Sequence, residues 1–309
     1  MRESAGLFPL KSQSPSIQFL VSLIILTGVA AISLLIVIIS ARLIFGIGLN
    51  EINLESELLP ERQIHYLKYV QVFQHISIFL IPSLIISWLM SGNIIAYQGM
   101  DRMPDFSIFF IVLLITIFII PVTGATGILN SGLTLPDWLS GVEEWMIKKE
   151  HQANSITGWL IEAEGLWPLT INIIILALLP AFGEEFLFRG IIQQILTRWL
   201  NSGHAAVWIT SIIFSTVHLQ FYGFIPRLIL GLIFGYLFLW SSTIWLPLFA
   251  HFINNVIPVI GSYLVGWDRL NKEMVDGGPD PGWLILIPAI LVLLLMNVTR
   301  TLFREKYKE

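Results

Sequence analysis

The sequence predicts an all-α protein, a polytopic membrane helix bundle of about eight transmembrane helices around a polar intramembrane cavity. Three observations carry this. Of 309 residues, 55% are hydrophobic and 12% are charged, whereas a soluble domain carries about 25% charged residues. The apolar residues fall in long runs with a mean hydropathy of +0.79, and a run of about 20 is long enough to cross the hydrocarbon. Within the later runs sit glutamates, histidines, an arginine and asparagines, which hydrocarbon tolerates only when they are paired or face a wet cavity.

The segments follow in order. The first covers residues 17–45. Arg2 and Lys11 precede it as they would a signal peptide, but a signal core is only about 7–15 residues long, so a retained helix is expected. The second lies near 70–90 and the third at 106–128. The fourth runs from 168 to 199, with an interruption expected at Pro180, since proline lacks the amide that a helix interior needs. Three close-set segments follow at 204–220, 224–241 and 244–264, the first of them the shortest. The last, 282–303, leads into a basic tail with Arg300, Arg304, Lys306 and Lys308.

Two connectors are long and polar. Residues 46–67 carry Glu51, Glu55, Glu57 and Glu61, and residues 129–167 carry Glu143, Glu144, Glu150, Glu162 and Glu164. Trp138, Trp145, Trp159 and Trp167 stand among the charges of the second. Tryptophan favours the headgroup region, so this connector reads as an interfacial helix or as a solvated loop. An even number of spans places both termini on one side; the basic tail favours the cytoplasm, although Lys and Arg are nearly balanced over all loops. One integrated membrane domain is expected in the cell membrane, with N-terminal helices and loops at 1–167, a polar core at 168–264 and a last helix with its tail at 265–309.

Composition also excludes. A net charge of −4 and no basic stripe argue against a nucleic-acid partner. With no cysteine there is no disulfide, thiolate metal site or cysteine nucleophile.

Three clusters in the second half bear chemistry. The first is Gly183-Glu184-Glu185-Phe186-Leu187-Phe188-Arg189-Gly190. Glu185 and Arg189 lie one turn apart on a face, which suits an ion pair. Adjacent residues point about 100° apart, so Glu184 is expected to face elsewhere and to serve a different partner. A carboxylate there can act as a general base toward water. The second cluster is Phe214-x-x-x-His218, with both residues on one face. The third is His251-Phe-Ile-Asn254-Asn255, where His251 and Asn255 share a face and can donate into one point, as in an oxyanion hole. Alone, each also reads as packing: an ion-pair network, a hydrogen-bonded core histidine, or asparagine joining helices. Together they place Glu184, His218 and His251 on three segments that can meet at one cavity.

The set Glu184-Glu185-x-x-x-Arg189, Phe214-x-x-x-His218 and His251-x-x-x-Asn255 resembles, in order and spacing, the CPBP family of intramembrane proteases. That family includes the type II CAAX prenyl endopeptidases and the bacteriocin-processing Abi proteins. The resemblance covers roughly residues 168–264. It implies an endopeptidase in which Glu184 activates water, His218 helps to position it, and His251 and Asn255 stabilise the oxyanion, with Glu185, Arg189 and Phe214 in support. No cofactor is implied if the mechanism is of the glutamate type. If the enzyme is a metalloprotease, a divalent metal such as zinc is implied, with Glu184, His218 and His251 as its candidate ligands. The implied partners are the lipid bilayer and a peptide or membrane-anchored protein substrate. The chain has no His-Glu-x-x-His, Gly-x-Ser-Gly or Gly-x-Gly-Asp, so the zincin, serine and aspartyl patterns are absent. Two other functions fit such a membrane protein: a non-catalytic bacteriocin-immunity or scaffold protein, and an ion-coupled transporter. The transporter lacks the paired broken helices expected of it.

Overall fold

The computed structural model describes residues 10–48, 51–53, 56, 59–270 and 285–306. Arg2, Glu55, Glu57, Lys308 and the first three residues of the expected last segment lie outside them. Among the described residues the chain is helical without a strand, as the long apolar runs require.

Helix α1 spans Pro15–Phe45. It opens on a Ser14 side chain that accepts from the Ile17 amide, with Pro15 in the first turn, and it closes on Gly46 in the left-handed conformation at φ 62°, where glycine carries no Cβ penalty. Helix α2 spans Glu61–Ser91, the four-residue helix α3 Ile94–Tyr97, and α4 Phe106–Ser131. Helix α5, Ser140–Ile161, forms within the tryptophan-bearing connector. Helices α6 Leu166–Leu200, α7 Gly203–Thr216, α8 Phe224–Ser241, α9 Trp245–Val265 and α10 Leu286–Lys306 complete the bundle.

Seven of these helices are long and apolar enough to cross a membrane, and the chain is an integral membrane protein. The expected segment at 204–220 differs. Helix α7 has 14 residues, so it is about 21 Å long against about 30 Å of hydrocarbon. The rest of that stretch is a turn carrying His218, and the 3-10 turn Phe221–Gly223 follows it. Non-helical backbone at such depth is tolerated where protein or a cavity covers it. The short connection after Leu200, with Asn201 left-handed at φ 50° and Ser202 capping Ala205, folds α7 back against α6 as an antiparallel neighbour.

The interruption expected at Pro180 is absent, and α6 is continuous through it. A π-helical turn at Ile173–Leu178 runs directly into Leu179–Leu187, in whose first turn Pro180 sits. The wider turn re-routes the carbonyl pairing that the missing proline amide would break. Helix α2 repeats the device, with a π turn at His75–Leu80 ahead of Pro82. A third π turn, Phe188–Gln193, follows the Glu184 region.

Glycines set the closest approaches. A Cβ on Gly183 would stand 2.9 Å from Phe79 Cβ, and one on Gly235 would stand 2.9 Å from Val207 Cγ1. Bare backbone therefore lets α2 lie on α6 at Gly183 and lets α7 lie on α8 at Gly231 and Gly235, a small-residue contact of the kind membrane helices use. The largest apolar cluster joins α4, α8, α9 and α10 through residues such as Ile115, Phe234, Leu246 and Met296. Outward faces stay apolar, with Leu35 62% and Leu43 80% exposed on α1, as suits lipid contact.

Candidate active site

Glu184 sits midway along α6 with its side chain 8% exposed. Its carboxylate is bracketed by three imidazoles. His218 Nε2 and His251 Nε2 each stand 3.9 Å from Oε2, and His75 Nδ1 stands 4.0 Å from Oε1. These gaps are longer than direct hydrogen bonds and suit one bridging water each. The His218 side chain is 28% exposed, against 6% for His251 and 7% for His75, so the cluster opens at the His218 end.

The outer hydrogen bonds assign the proton on each ring. His218 Nδ1 lies 2.7 Å from the Phe214 carbonyl. A carbonyl only accepts, so Nδ1 donates and Nε2 presents a lone pair to Glu184. His251 Nδ1 lies 2.7 Å from Glu185 Oε1; it donates to that carboxylate, and its Nε2 likewise faces Glu184. His75 is reversed. Its Nε2 lies 2.9 Å from the Gln71 amide nitrogen, which donates, so Nδ1 carries the proton and points toward Glu184.

The expected Glu185–Arg189 ion pair is present at 2.9 Å, with both side chains fully buried. Arg189 also donates to the Gly231 carbonyl at 3.1 Å. Its guanidinium carbon lies 4.9 Å from the Phe214 ring centre, 5.5 Å from that of Phe234 and 6.0 Å from that of Phe188. Aromatic faces thus take up a charge that lipid would not. One expectation fails: adjacent glutamates were to serve separate partners, yet His251 meets both. The 100° offset between them is bridged because the two nitrogens of one imidazole point in different directions. Phe214 holds the rings edge-on, 5.0 Å from His218 and 6.1 Å from His251, while Phe234 stacks on His251 at 5.1 Å. Asn255 lies one turn beyond His251, half-buried, and its Oδ1 accepts from Asn254 at 3.3 Å. Among the described residues it makes no hydrogen bond to the Glu184 group.

Donors around one zinc at about 2.0–2.1 Å stand roughly 3.3 Å from each other in a tetrahedron. Glu184 Oε2 is farther than that from each imidazole, and among the described residues no group of three or more histidine or acidic side chains is placed to hold a metal.

His75 and Gln71 were not among the residues picked out from the sequence. The signal was available, since His75 stands inside the second apolar segment, where a lone ionisable group is costly. The loop after His218 is also held by residues outside the motifs. Arg227 donates to the Gln220 carbonyl at 2.9 Å and to its side chain at 2.6 Å. Asn130 donates to the Phe221 carbonyl at 2.6 Å, and Trp145 of α5 packs 5.4 Å from the Phe221 ring.

Residues 165–257 match a family model described as type II CAAX prenyl endopeptidase Rce1-like. Over 90 residues, 28% of this chain, the sequence is 32% identical to "Uncharacterized protein YpbD" of Bacillus subtilis (strain 168), covering 43% of that protein. Over 90 residues, 29% of this chain, it is 33% identical to "Putative membrane peptidase YdiL" of the same organism, covering 36% of it. The chain thus spans less than half the length of these curated relatives. No solved structure matches the chain. The matched stretch contains Glu184, Glu185, Arg189, Phe214, His218, His251 and Asn255, so the resemblance seen in the three motifs holds for this region.

Proposed function

We propose that this chain, Rce1-like over residues 165–257, is an intramembrane endopeptidase that hydrolyses a peptide bond with a water activated by Glu184. One observation carries the reading: the buried Glu184 carboxylate faces two imidazole lone pairs at 3.9 Å. A water in that gap donates one hydrogen to Glu184 Oε2 and the other to His218 Nε2. Its own lone pair is then turned toward an incoming carbonyl carbon, which is the near-attack arrangement.

In this mechanism Glu184 takes the water proton as hydroxide adds to the carbonyl, and it later passes that proton to the leaving amine. While the intermediate lasts, His251 Nε2, 3.9 Å from Glu184 Oε2, holds the proton that Glu184 took from the water, donates it in a hydrogen bond to the oxyanion, and returns it to Glu184 for the leaving amine. Glu185 stabilises the imidazolium so formed as the aspartate of a serine-protease triad stabilises its histidine. Asn255 supplies the second oxyanion donor through its side-chain amide. Arg189 fixes Glu185, and Phe214 sets the angle of both rings. The substrate is a peptide or a membrane-anchored protein that reaches Glu184 from the His218 end.

The test is cleavage of quenched fluorescent peptides and of membrane-anchored reporters by the purified protein in lipid nanodiscs. Glu184→Ala and His218→Ala are expected to lose about 10²–10⁴-fold in kcat, the range of a general base, and Asn255→Ala about 10²–10³-fold. Normal cleavage by both the Glu184 and His218 variants would overturn the proposal. Activity is expected to survive a chelator; a chelator-inactivated enzyme restored by zinc would move water activation to a metal on Glu184, His218 and His251. Full biological activity in Glu184→Gln would favour a non-catalytic role.

A further inference from the structure

Of the three rings around Glu184, two present acceptors and one presents a donor. A water between the carboxylate and a lone pair spends one hydrogen on each, whereas a water that accepts from a ring N–H keeps both hydrogens free, so the donor ring acts differently from the other two. That ring is His75, on α2 and outside the three motifs. Its Nδ1 is buried and has no hydrogen-bond partner among the described residues, and it stands 4.0 Å from Glu184 Oε1. Its proton is set by Gln71, one turn earlier on the same helix. Three features of the fold bring it there. Gly183 leaves room for α2, since a Cβ at that position would stand 3.5 Å from the His75 carbonyl and 2.9 Å from Phe79 Cβ. The π turn begins at His75 itself, and such turns often mark functional positions. Phe79 stacks on the ring at 5.4 Å and 26°, so the imidazole plane is held.

We propose that His75 is a positioning residue for Glu184. Its Nδ1–H, directed by Gln71, reaches Oε1 through one water and anchors that oxygen. Oε2 is thereby left turned toward His218 and His251 as the oxygen that meets the reacting water. The inference rests on the endopeptidase reading for its kinetic consequence, while the contact itself is independent of that reading.

Isosteric replacements test the contact. Asparagine places an amide nitrogen where Nδ1 stands, glutamine places one nearer Nε2, and phenylalanine keeps the ring without a donor. The first readout is vibrational. The infrared band of the Glu184 carboxyl group, assigned by difference against Glu184→Gln, is expected to shift in His75→Phe and His75→Gln and to return toward the wild-type position in His75→Asn. An unchanged band in His75→Phe would overturn the proposal whether or not the protein cleaves anything. The second readout is kinetic: kcat is expected to fall about 10–100-fold in His75→Phe, the usual loss for an orienting partner, with KM unchanged and with most activity kept in His75→Asn. Equal losses in the Asn and Phe variants would reduce His75 to a packing residue. If the wild type cleaves no substrate while the band shifts as expected, the endopeptidase reading fails and the His75 contact stands.

Discussion

At the scale of the residue, the buried ion pair between Glu185 and Arg189 sets the terms. Both side chains are fully buried, so removing one strands the other in a medium that solvates it poorly. Glu185→Leu and Arg189→Met are each expected to destabilise by about 3–5 kcal/mol. The double variant is expected to recover much of that loss, because no charge is then left unpaired. Thermal unfolding in detergent measures both effects. Activity should not return with stability, because His251 has lost the carboxylate that holds Nδ1; a double variant as active as the wild type would show that Glu185 does nothing beyond packing. The pair was legible in the sequence from its spacing alone. The bond from Glu185 to His251 was not, because 66 residues separate them and no local periodicity reports such a contact.

At the scale of the element, the glycines and the outer helix decide how the site is held. Gly183→Ala puts a methyl group against Phe79 Cβ, a side-chain root that cannot swing away. It is expected to cost about 1–3 kcal/mol through overpacking and to lower kcat by moving His75 off Glu184, both read in one preparation; unchanged stability and turnover would show that α2 is free to retreat. Helix α5 bears on the loop beyond His218 through Trp145 and through Glu150, whose carboxylate accepts from the Gln220 amide at 3.5 Å. Burial pushes the Glu150 carboxyl above the ordinary carboxylate range, with the Arg227 charge, the Tyr222 backbone and the Gln220 amide pulling the other way. The folded state then holds this proton more tightly than the unfolded chain does. The contribution of Glu150 to α5 docking is therefore present in acid and is lost as pH rises through its raised value. Amide exchange of residues 140–161, corrected for intrinsic rate, should be slower at mildly acidic pH than at neutral pH in the wild type, and Glu150→Gln should abolish that difference. From sequence the tryptophans left an interfacial helix and a solvated loop both open; the helix and its docking onto the 221–223 turn came only with the fold.

At the scale of the whole molecule, the seven helices among the described residues that are long and apolar enough to span, together with the short α7, set the topology. If α7 and the turn beyond it bring the chain back across, the N-terminal segment and the end of α10 share a side, and α5 lies on the other. The absence of cysteine gives a clean background for labelling. Ser12→Cys and Glu305→Cys are expected to react with a membrane-impermeant maleimide from one side, and Gly141→Cys from the opposite side. Labelling of positions 12 and 305 from different sides would show that α7 does not complete a crossing.

Sequence by itself determined that this is a helical membrane protein, because the composition and length of apolar runs answer directly to the thickness and dielectric of a bilayer. It also determined which charged groups pair along one helix, since a helical turn is a local rule. Only the tertiary structure decided that His75 from the second span completes the ring around Glu184, that one imidazole joins both glutamates, and that Pro180 leaves its helix unbroken. Those outcomes depend on how close separate helices come and on where a π turn absorbs a residue, and both are properties of packed neighbours.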